Sequence, residues 1–431
     1  MKRIVLRGPL VVTPEGIVKT DIVLEGGRVC LDQEERPGDE VLEISDKYVL
    51  PGFVDIHFHG YGLFDLTMGR YDPERGKGDK SKKIYEEGFE GLRRKLPEFG
   101  VTGFYLANWT TSLENLQYCY ERLADYLGKY GEELRGARLL GGFLEGPFIN
   151  KQMSGAQNPG MVHEPKIDFF EKIEDGGSIK LANVVPDEGR KSCEFIEYLT
   201  KKGIVVGMGH TAATCEQVAE AIGAGLKYCV HFTNGPTGSS YKPFAGGGAV
   251  EAVLKFDELY AELICDGYHV NPAYIRDIIK RKGVSRIVGI TDCSMIAGSN
   301  LTEFRVEGIE GKVSDDGQYL QVLGKENTLF SSNLTMVRGF TNLLNWLTRD
   351  MEGIWNKRHE GRELEEAVSA AAQIFASNPC ELTGLTGQGY GRIVEGAKAD
   401  LCVLDIRQEE GRYQAEVEKT IVEGEVVYAK G

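Results

Sequence analysis

The residues best able to do chemistry are histidines and carboxylates set at regular places along a 431-residue chain. His57 and His59 form an H-x-H pair closing a short apolar run. In an extended strand residues i and i+2 face the same side, so both imidazoles can reach one ion. Glu145, His210, His231 and Asp292 each end another apolar run. Imidazoles and carboxylates without a thiolate suit one or two divalent ions, Zn²⁺ first, then Fe²⁺, Co²⁺ or Mn²⁺. Such an ion lowers the pKa of its water to about 7, generating hydroxide at neutral pH, and polarises a carbonyl under attack. Asp292 is the carboxylate placed to take the proton and return it to a leaving nitrogen. The reaction class is metal-assisted hydrolysis of an amide-like bond. His269, in Cys265-Asp266-Gly267-Tyr268-His269, stays open between loop packing and substrate contact. His163 and His359 end no run and read as surface residues, His359 in a charged helical stretch.

The elements that must position these groups are eight apolar runs: Phe53–His59, Val101–Asn108, Leu139–Glu145, Leu181–Pro186, Ile204–His210, Tyr228–Asn234, Tyr260–Asp266 and Arg286–Asp292. Helical stretches lie between most of them, with start signals such as Ser112 before Glu114 and Asn271 before Pro272. Near-continuous apolar strands alternating with helices predict a parallel sheet covered on both faces. Eight repeats over about 240 residues match a (β/α)₈ TIM barrel, whose strand C-termini converge on one mouth. A doubly wound open sheet would usually carry a Gly-rich phosphate turn after its first strand, and none is present. Both chain ends alternate β-like runs with turns, as separate caps or as one small sheet. The segment Arg70–Lys95 reads as a solvated loop leading into a surface helix, with a lid or subunit contact as the other option.

Composition narrows the partners. With 50 Lys and Arg against 65 Asp and Glu the net charge is −15, which argues against nucleic acid and anionic membranes as partners. No run approaches the roughly 18 apolar residues of a membrane helix, and no signal peptide fits the start. Nine cysteines lack any C-x-x-C spacing and read as buried small hydrophobes in a reducing compartment, so the cytoplasm is expected.

Pro51-Gly52-Phe53-Val54-Asp55-Ile56-His57-Phe58-His59-Gly60 resembles the opening of amidohydrolase-superfamily barrels. Gly396-Ala397-Lys398-Ala399-Asp400-Leu401 and Val422-Glu423-Gly424-Glu425-Val426-Val427-Tyr428 resemble the return of their β-sandwich. The resemblance spans essentially the whole chain. It implies a small β-sandwich from residues 1–52 and 390–431 around a barrel at 53–389. Within the superfamily, Leu144-Glu145-Gly146-Pro147-Phe148-Ile149 with Gly155-Ala156-Gln157 is similar to the N-acetylglucosamine-6-phosphate deacetylase family. Gly209-His210-Thr211, His231 with Asn234, Asp266-Gly267-Tyr268-His269-Val270, Thr291-Asp292 and Ser332-Asn333-Leu334-Thr335-Met336 extend the likeness. The fourth run contains no Lys, which separates the chain from dihydroorotase- and hydantoinase-like members.

The resemblance implies metal ligation by Glu145, His210 and His231, a second position at His57 and His59, and Asp292 as general base and acid. It places Ala156, Gln157, Asn234, His269, Phe330 and Ser331 against an amino-sugar phosphate, with Gly235 and Lys242 at the phosphate end and His269 assisting the oxyanion. It also suggests a homodimer. The departures lie at that end. Gly235-Pro236 follows Asn234 where the family has Ala-Met, and Lys242 stands where an Arg is usual, giving charge without a bidentate fork. The turn Ala107-Asn108-Trp109-Thr110-Thr111 replaces a Pro-Thr-containing one. Hydrolysis of N-acetylglucosamine 6-phosphate is the reading these residues favour. An N-acetylgalactosamine phosphate or an unphosphorylated acyl amine is the nearer rival, and a scaffold without catalysis the remoter one.

Overall fold

The computed structural model describes residues 3–31, 33–134, 136–173, 176–234 and 246–431. Eight strands pair in parallel, each with the next in sequence: β1 (Phe53–Phe58), β2 (Val101–Ala107), β3 (Arg138–Leu144), β4 (Ile179–Asn183), β5 (Val205–Met208), β6 (Leu226–Cys229), β7 (Tyr260–Ile264) and β8 (Ile287–Ile290). Every residue of β1, β2, β7 and β8 is buried, as strands covered on both faces require. The seam between β8 and β1 is closed at its upper end. The Asp292 amide donates to the His57 carbonyl (2.9 Å) and the His59 amide to the Cys293 carbonyl (3.0 Å). The Thr291 hydroxyl donates to the buried Asp55 carboxyl (2.6 Å).

The eight apolar runs of the sequence coincide with these strands, but pairing stops short of most of the polar residues that end the runs. His59 and Glu145 lie one residue beyond their strands, and His210, His231 and Asp292 two beyond. The last three have positive φ (53°, 31° and 49°). A left-handed residue cannot continue a ladder, so the chain leaves the sheet where the functional side chains begin.

Below the mouth the barrel is packed solid by Val54, Ile56, Tyr105, Phe143, Leu181, Tyr228, Val288 and Ile290. Tyr228 fits because Gly207 has no side chain, since a Cβ there would lie 2.4 Å from the ring. Outside, the helices begin where their caps predict. The Ser112 hydroxyl accepts the Asn115 amide ahead of α1 (Leu113–Tyr130), and the Asn271 side chain accepts the Ala273 amide ahead of α2 (Pro272–Lys282). None of the helices among the described residues is long and apolar enough to cross a membrane. All nine cysteines are free, and seven are buried.

The two chain ends share one sheet rather than capping separately. Leu401–Glu409 pairs antiparallel with Tyr48–Pro51, which runs parallel to Leu10–Thr13, giving a six-stranded sheet from both termini. A four-stranded sheet of Ile4–Arg7, Ile22–Glu25, Arg28–Cys30 and Glu40–Glu43 accompanies it, around an apolar cluster that includes Val11, Val29, Val49, Leu401 and Ile421. Arg138, opening β3, meets Asp400 (3.3 Å) and Glu423 (3.0 Å) and ties this unit to the barrel.

Three features depart from the sequence expectations. The charged segment Arg70–Lys95 ends in the expected helix, Lys82–Lys95, but its first part is not a loop: Gly69–Asp72 and Lys77–Asp79 complete an antiparallel meander begun at Gly60–Tyr61 and Phe64–Asp65. A second insertion after β8 forms a three-stranded sheet from Glu303–Val306, Ile309–Val313 and Leu320–Val322. The two insertions meet in one cluster holding Met68, Tyr71, Trp109, Ile296, Phe304 and Phe330. Finally, His359 is neither helical nor on the surface. It is buried, its Nε2 2.8 Å from Asp277.

The same Asp277 carboxylate accepts the Ile354 amide (2.6 Å) and the Trp355 amide (2.7 Å). Burial opposes its ionisation, but bonds from Asn356, Trp355, His359 and Ile354 hold it below the usual carboxylate range. A depressed folded-state pKa gives stability that is complete above the unfolded value, about 3.9, and lost as pH falls through the folded value. Asp277→Asn is therefore expected to lower the melting temperature at pH 7, with the gap to wild type narrowing below about pH 4. A gap independent of pH between 3 and 7, measured by thermal melts, would contradict this account.

Candidate active site

The barrel brings six ligand-type side chains to one point at its mouth. Glu145 is the hub. Its Oε1 lies 3.1 Å from His231 Nε2, 3.4 Å from His210 Nε2 and 3.7 Å from His57 Nε2, and its Oε2 3.4 Å from His59 Nε2. Asp292 Oδ1 faces the same centre, 3.3 Å from His59 Nε2 and 3.5 Å from His57 Nε2. All six residues are buried. Two triads, His57–His59–Glu145 and Glu145–His210–His231, each have ligand atoms within 4.8 Å of one another.

The backs of three imidazoles are tied to acceptors. His57 Nδ1–H donates to Glu262 (3.1 Å), His210 Nδ1–H to the Met153 carbonyl (2.9 Å) and His231 Nδ1–H to the Asn234 carbonyl (2.8 Å). With the proton fixed on Nδ1, each Nε2 presents a lone pair to the Glu145 carboxylate. Such facing groups call for a cation between them, a proton or a metal ion, and oriented imidazole backed by carboxylate or carbonyl is how proteins hold metals. His57 Nε2 is buried with no hydrogen-bond partner. The donor set therefore fits one or two divalent ions.

Electrostatics point the same way. Burial disfavours charge on His57, but Asp292, Glu262 and Glu145 outweigh it and raise the imidazole to about 9. His59 rises to about 9 for the same reason, through Asp292 and Glu145. Burial likewise opposes ionisation of Glu145, yet bonds from His210, His231 and His59 and the charge of His57 hold it well below the usual range. Asp292 is lowered against its burial by His57, His59 and His231. The centre attracts positive charge.

The polar walls are similarly fixed. Gln157 donates to Glu145 Oε2 (2.6 Å) while its carbonyl accepts the Thr110 amide (2.6 Å). Trp109 lies flat on His59, ring centroids 3.8 Å apart at 12°, with its indole N–H on Asp65 (3.1 Å). The Ser331 hydroxyl bonds the Asp292 carbonyl and sits 3.4 Å from its Oδ1. His269 Nδ1 meets Asp266 (2.6 Å), a carboxylate that also accepts the Tyr268 and His269 amides (2.9 Å each).

Above the six residues opens a cavity of about 430 Å³, walled in part by Trp109, Ala156, Gln157, Asn234, Tyr268, His269, Asn327 and Ser331. Of the residues expected to line a substrate, Ala156, Gln157, Asn234, His269 and Ser331 stand on this wall. Phe330 does not. It is fully buried between Trp109 (5.3 Å) and Phe304 (4.9 Å), supporting the wall from behind. Gly235 and Lys242 lie outside the described residues. Sequence reasoning missed Glu262 and the contact of Trp109 with His59. A carboxylate inside an otherwise apolar run was the available signal for the first, because a buried charge needs a partner.

The chain is similar to known proteins over most of its length. Residues 282–428 match the model of an amidohydrolase family. The chain is 27% identical over 406 residues to N-acetylglucosamine-6-phosphate deacetylase of Bacillus subtilis, covering 91% of each. It is 26% identical over 368 residues to N-acetylgalactosamine-6-phosphate deacetylase of Escherichia coli O157:H7, covering 85% of each. The crystal structure of N-acetylglucosamine-6-phosphate deacetylase from Thermotoga maritima superposes with a TM-score of 0.77 at 26% identity, covering 99% of this chain and 100% of that one.

Because Glu145 belongs to both triads, Glu145→Ala is expected to reduce metal content at both positions. His59→Ala and His210→Ala should each affect one. Elemental analysis of the purified proteins reads this directly, and an unchanged metal content in Glu145→Ala would refute the shared role.

Proposed function

We propose that this chain, a hydrolytic enzyme of the amidohydrolase kind resembling N-acetylglucosamine-6-phosphate deacetylases, removes the acetyl group of N-acetylglucosamine 6-phosphate. The products are glucosamine 6-phosphate and acetate. The observation that carries the reading is the convergence of six ligand-type groups on the floor of a polar cavity walled by Gln157, Asn234 and His269. Similarity to N-acetylglucosamine-6-phosphate deacetylases over nine-tenths of the chain supports the choice of substrate class.

His57, His59, Glu145, His210 and His231 would hold one or two ions, Zn²⁺ being the best match to this donor set. When bound, such an ion activates water and polarises the acetyl carbonyl. The chain's own residues do the rest. Asp292 is clamped at both ends of its backbone, its amide on the His57 carbonyl (2.9 Å) and its carbonyl accepting the Ser332 amide (2.8 Å). Its carboxylate therefore stays at the cavity floor, where it takes a proton from the attacking water and passes it to the departing nitrogen. Asp266 fixes the His269 ring by its Nδ1–H, leaving Nε2 to face the carbonyl oxygen as charge develops there. Gln157 and Asn234 orient the sugar, and exclusion of bulk water strengthens each of these contacts.

One observation favours a second reading. Among the described residues, the cavity wall carries no Lys or Arg, so a different N-acyl substrate without the phosphate remains the competing assignment. Lys242 is the cation assigned to the phosphate by sequence alone.

Asp292→Asn should retain metal while kcat falls by about 10²–10⁴-fold. Near-wild-type turnover would remove Asp292 from the mechanism. In an acetate-release screen of N-acetylated hexosamines with and without a 6-phosphate, N-acetylglucosamine 6-phosphate should give the highest kcat/KM. Lys242→Ala should raise KM for it and leave the unphosphorylated sugar unchanged. Equal turnover of the two sugars, or an equal effect of the variant on both, would transfer the assignment to the unphosphorylated class.

A further inference from the structure

Glu262 stands at the middle of β7, fully buried among apolar neighbours. A carboxylate in such surroundings is costly unless it is paired. Its described partners are two, both on one oxygen: Oε2 accepts His57 Nδ1–H (3.1 Å) and the His231 amide (2.9 Å). Oε1 is buried with no hydrogen-bond partner. Glu262 does not line the cavity, so it touches neither substrate nor the reacting atoms. A half-satisfied buried carboxylate at the back of one imidazole makes sense if positive charge sits at the front of that imidazole.

We propose that Glu262 is a positioning residue for the ion at His57, His59 and Glu145. It fixes the Nδ1–H tautomer of His57, aims Nε2 at Glu145 and makes the ring a stronger donor. The inference rests on the two-position metal reading above. Its contacts make a one-sided effect the expected one. Toward His57 it acts on the imidazole itself. Toward His231 it acts only on the backbone amide, while that ring is held separately by the Asn234 carbonyl (2.8 Å). Loss of such an outer partner typically weakens metal binding about 10–100-fold.

The test is a calorimetric titration of chelator-stripped full-length protein with Zn²⁺ alone, comparing wild type, Glu262→Gln and His57→Gln. Wild type should bind in two steps. Glu262→Gln should keep one step at the wild-type affinity and weaken the other about 10–100-fold, and His57→Gln should weaken the same step. Two wild-type-like steps in Glu262→Gln, or equal weakening of both, would overturn the proposal while leaving two-ion binding intact. A single step in the wild type would overturn the two-position reading and the proposal together. A second measurement needs no Glu262 variant: in ¹⁵N-histidine-labelled wild type, saturation with Zn²⁺ should bring out a downfield Nδ1–H resonance that His57→Gln lacks. Its absence would overturn the proposal even if Glu262→Gln does not fold.

Discussion

A single buried carboxylate, Glu145, sets the terms for everything around it. Negative charge inside a barrel survives only where donors or cations surround it, and here four imidazoles and the Gln157 amide do so. Those partners arrive from β1, β5 and β6 and from the turn after β3. Apart from Gln157 no local segment supplies them, so β1, β3, β5 and β6 must come together before the charge is compensated. The hydrogen bonds behind the imidazoles, to Glu262, Met153 and Asn234, then convert a merely compensated charge into an oriented donor set.

The architecture was largely legible in the chain because its strands are covered on both faces. Such strands must be apolar throughout, and a polar residue ending each one stands out. That is why His57, His59, Glu145, His210, His231 and Asp292 stand out together in the sequence. What the runs concealed was their interior. Glu262 sits within Tyr260–Asp266, where attention falls on the run's end. The insertions were missed for the opposite reason: strands of two to five residues such as Gly60–Tyr61 and Ile309–Val313 mix glycine and charge, and take their shape from pairing with each other. His359 was misjudged from its charged neighbours, since only the fold brings Asp277 to it.

The two insertions shape the cavity without belonging to the barrel. Phe304 and Phe330 from the β8 side and Met68 and Tyr71 from the β1 side enclose Trp109, whose indole covers His59. The side chain of Glu307, at the tip of the second insertion, accepts the Thr111 hydroxyl (2.8 Å), and its backbone carbonyl accepts the Asn158 side-chain Nδ2–H (2.7 Å). The turns after β2 and β3 are thereby pinned from above. The barrel supplies the ligand-type groups, and the insertions help shape the cavity above them.

The seam between β8 and β1 is also the place where Asp292 faces His57 and His59, so a dication held by those imidazoles would set its charge against the carboxylate across the closure. It would act as a removable fastener on the closure itself. Ligand that binds only the closed form stabilises it by RT ln(1 + [L]/Kd), so the persistence of the fold becomes coupled to the free metal concentration around it. Scarcity of metal would then be felt twice, as lost turnover and as a barrel easier to open along one identifiable edge.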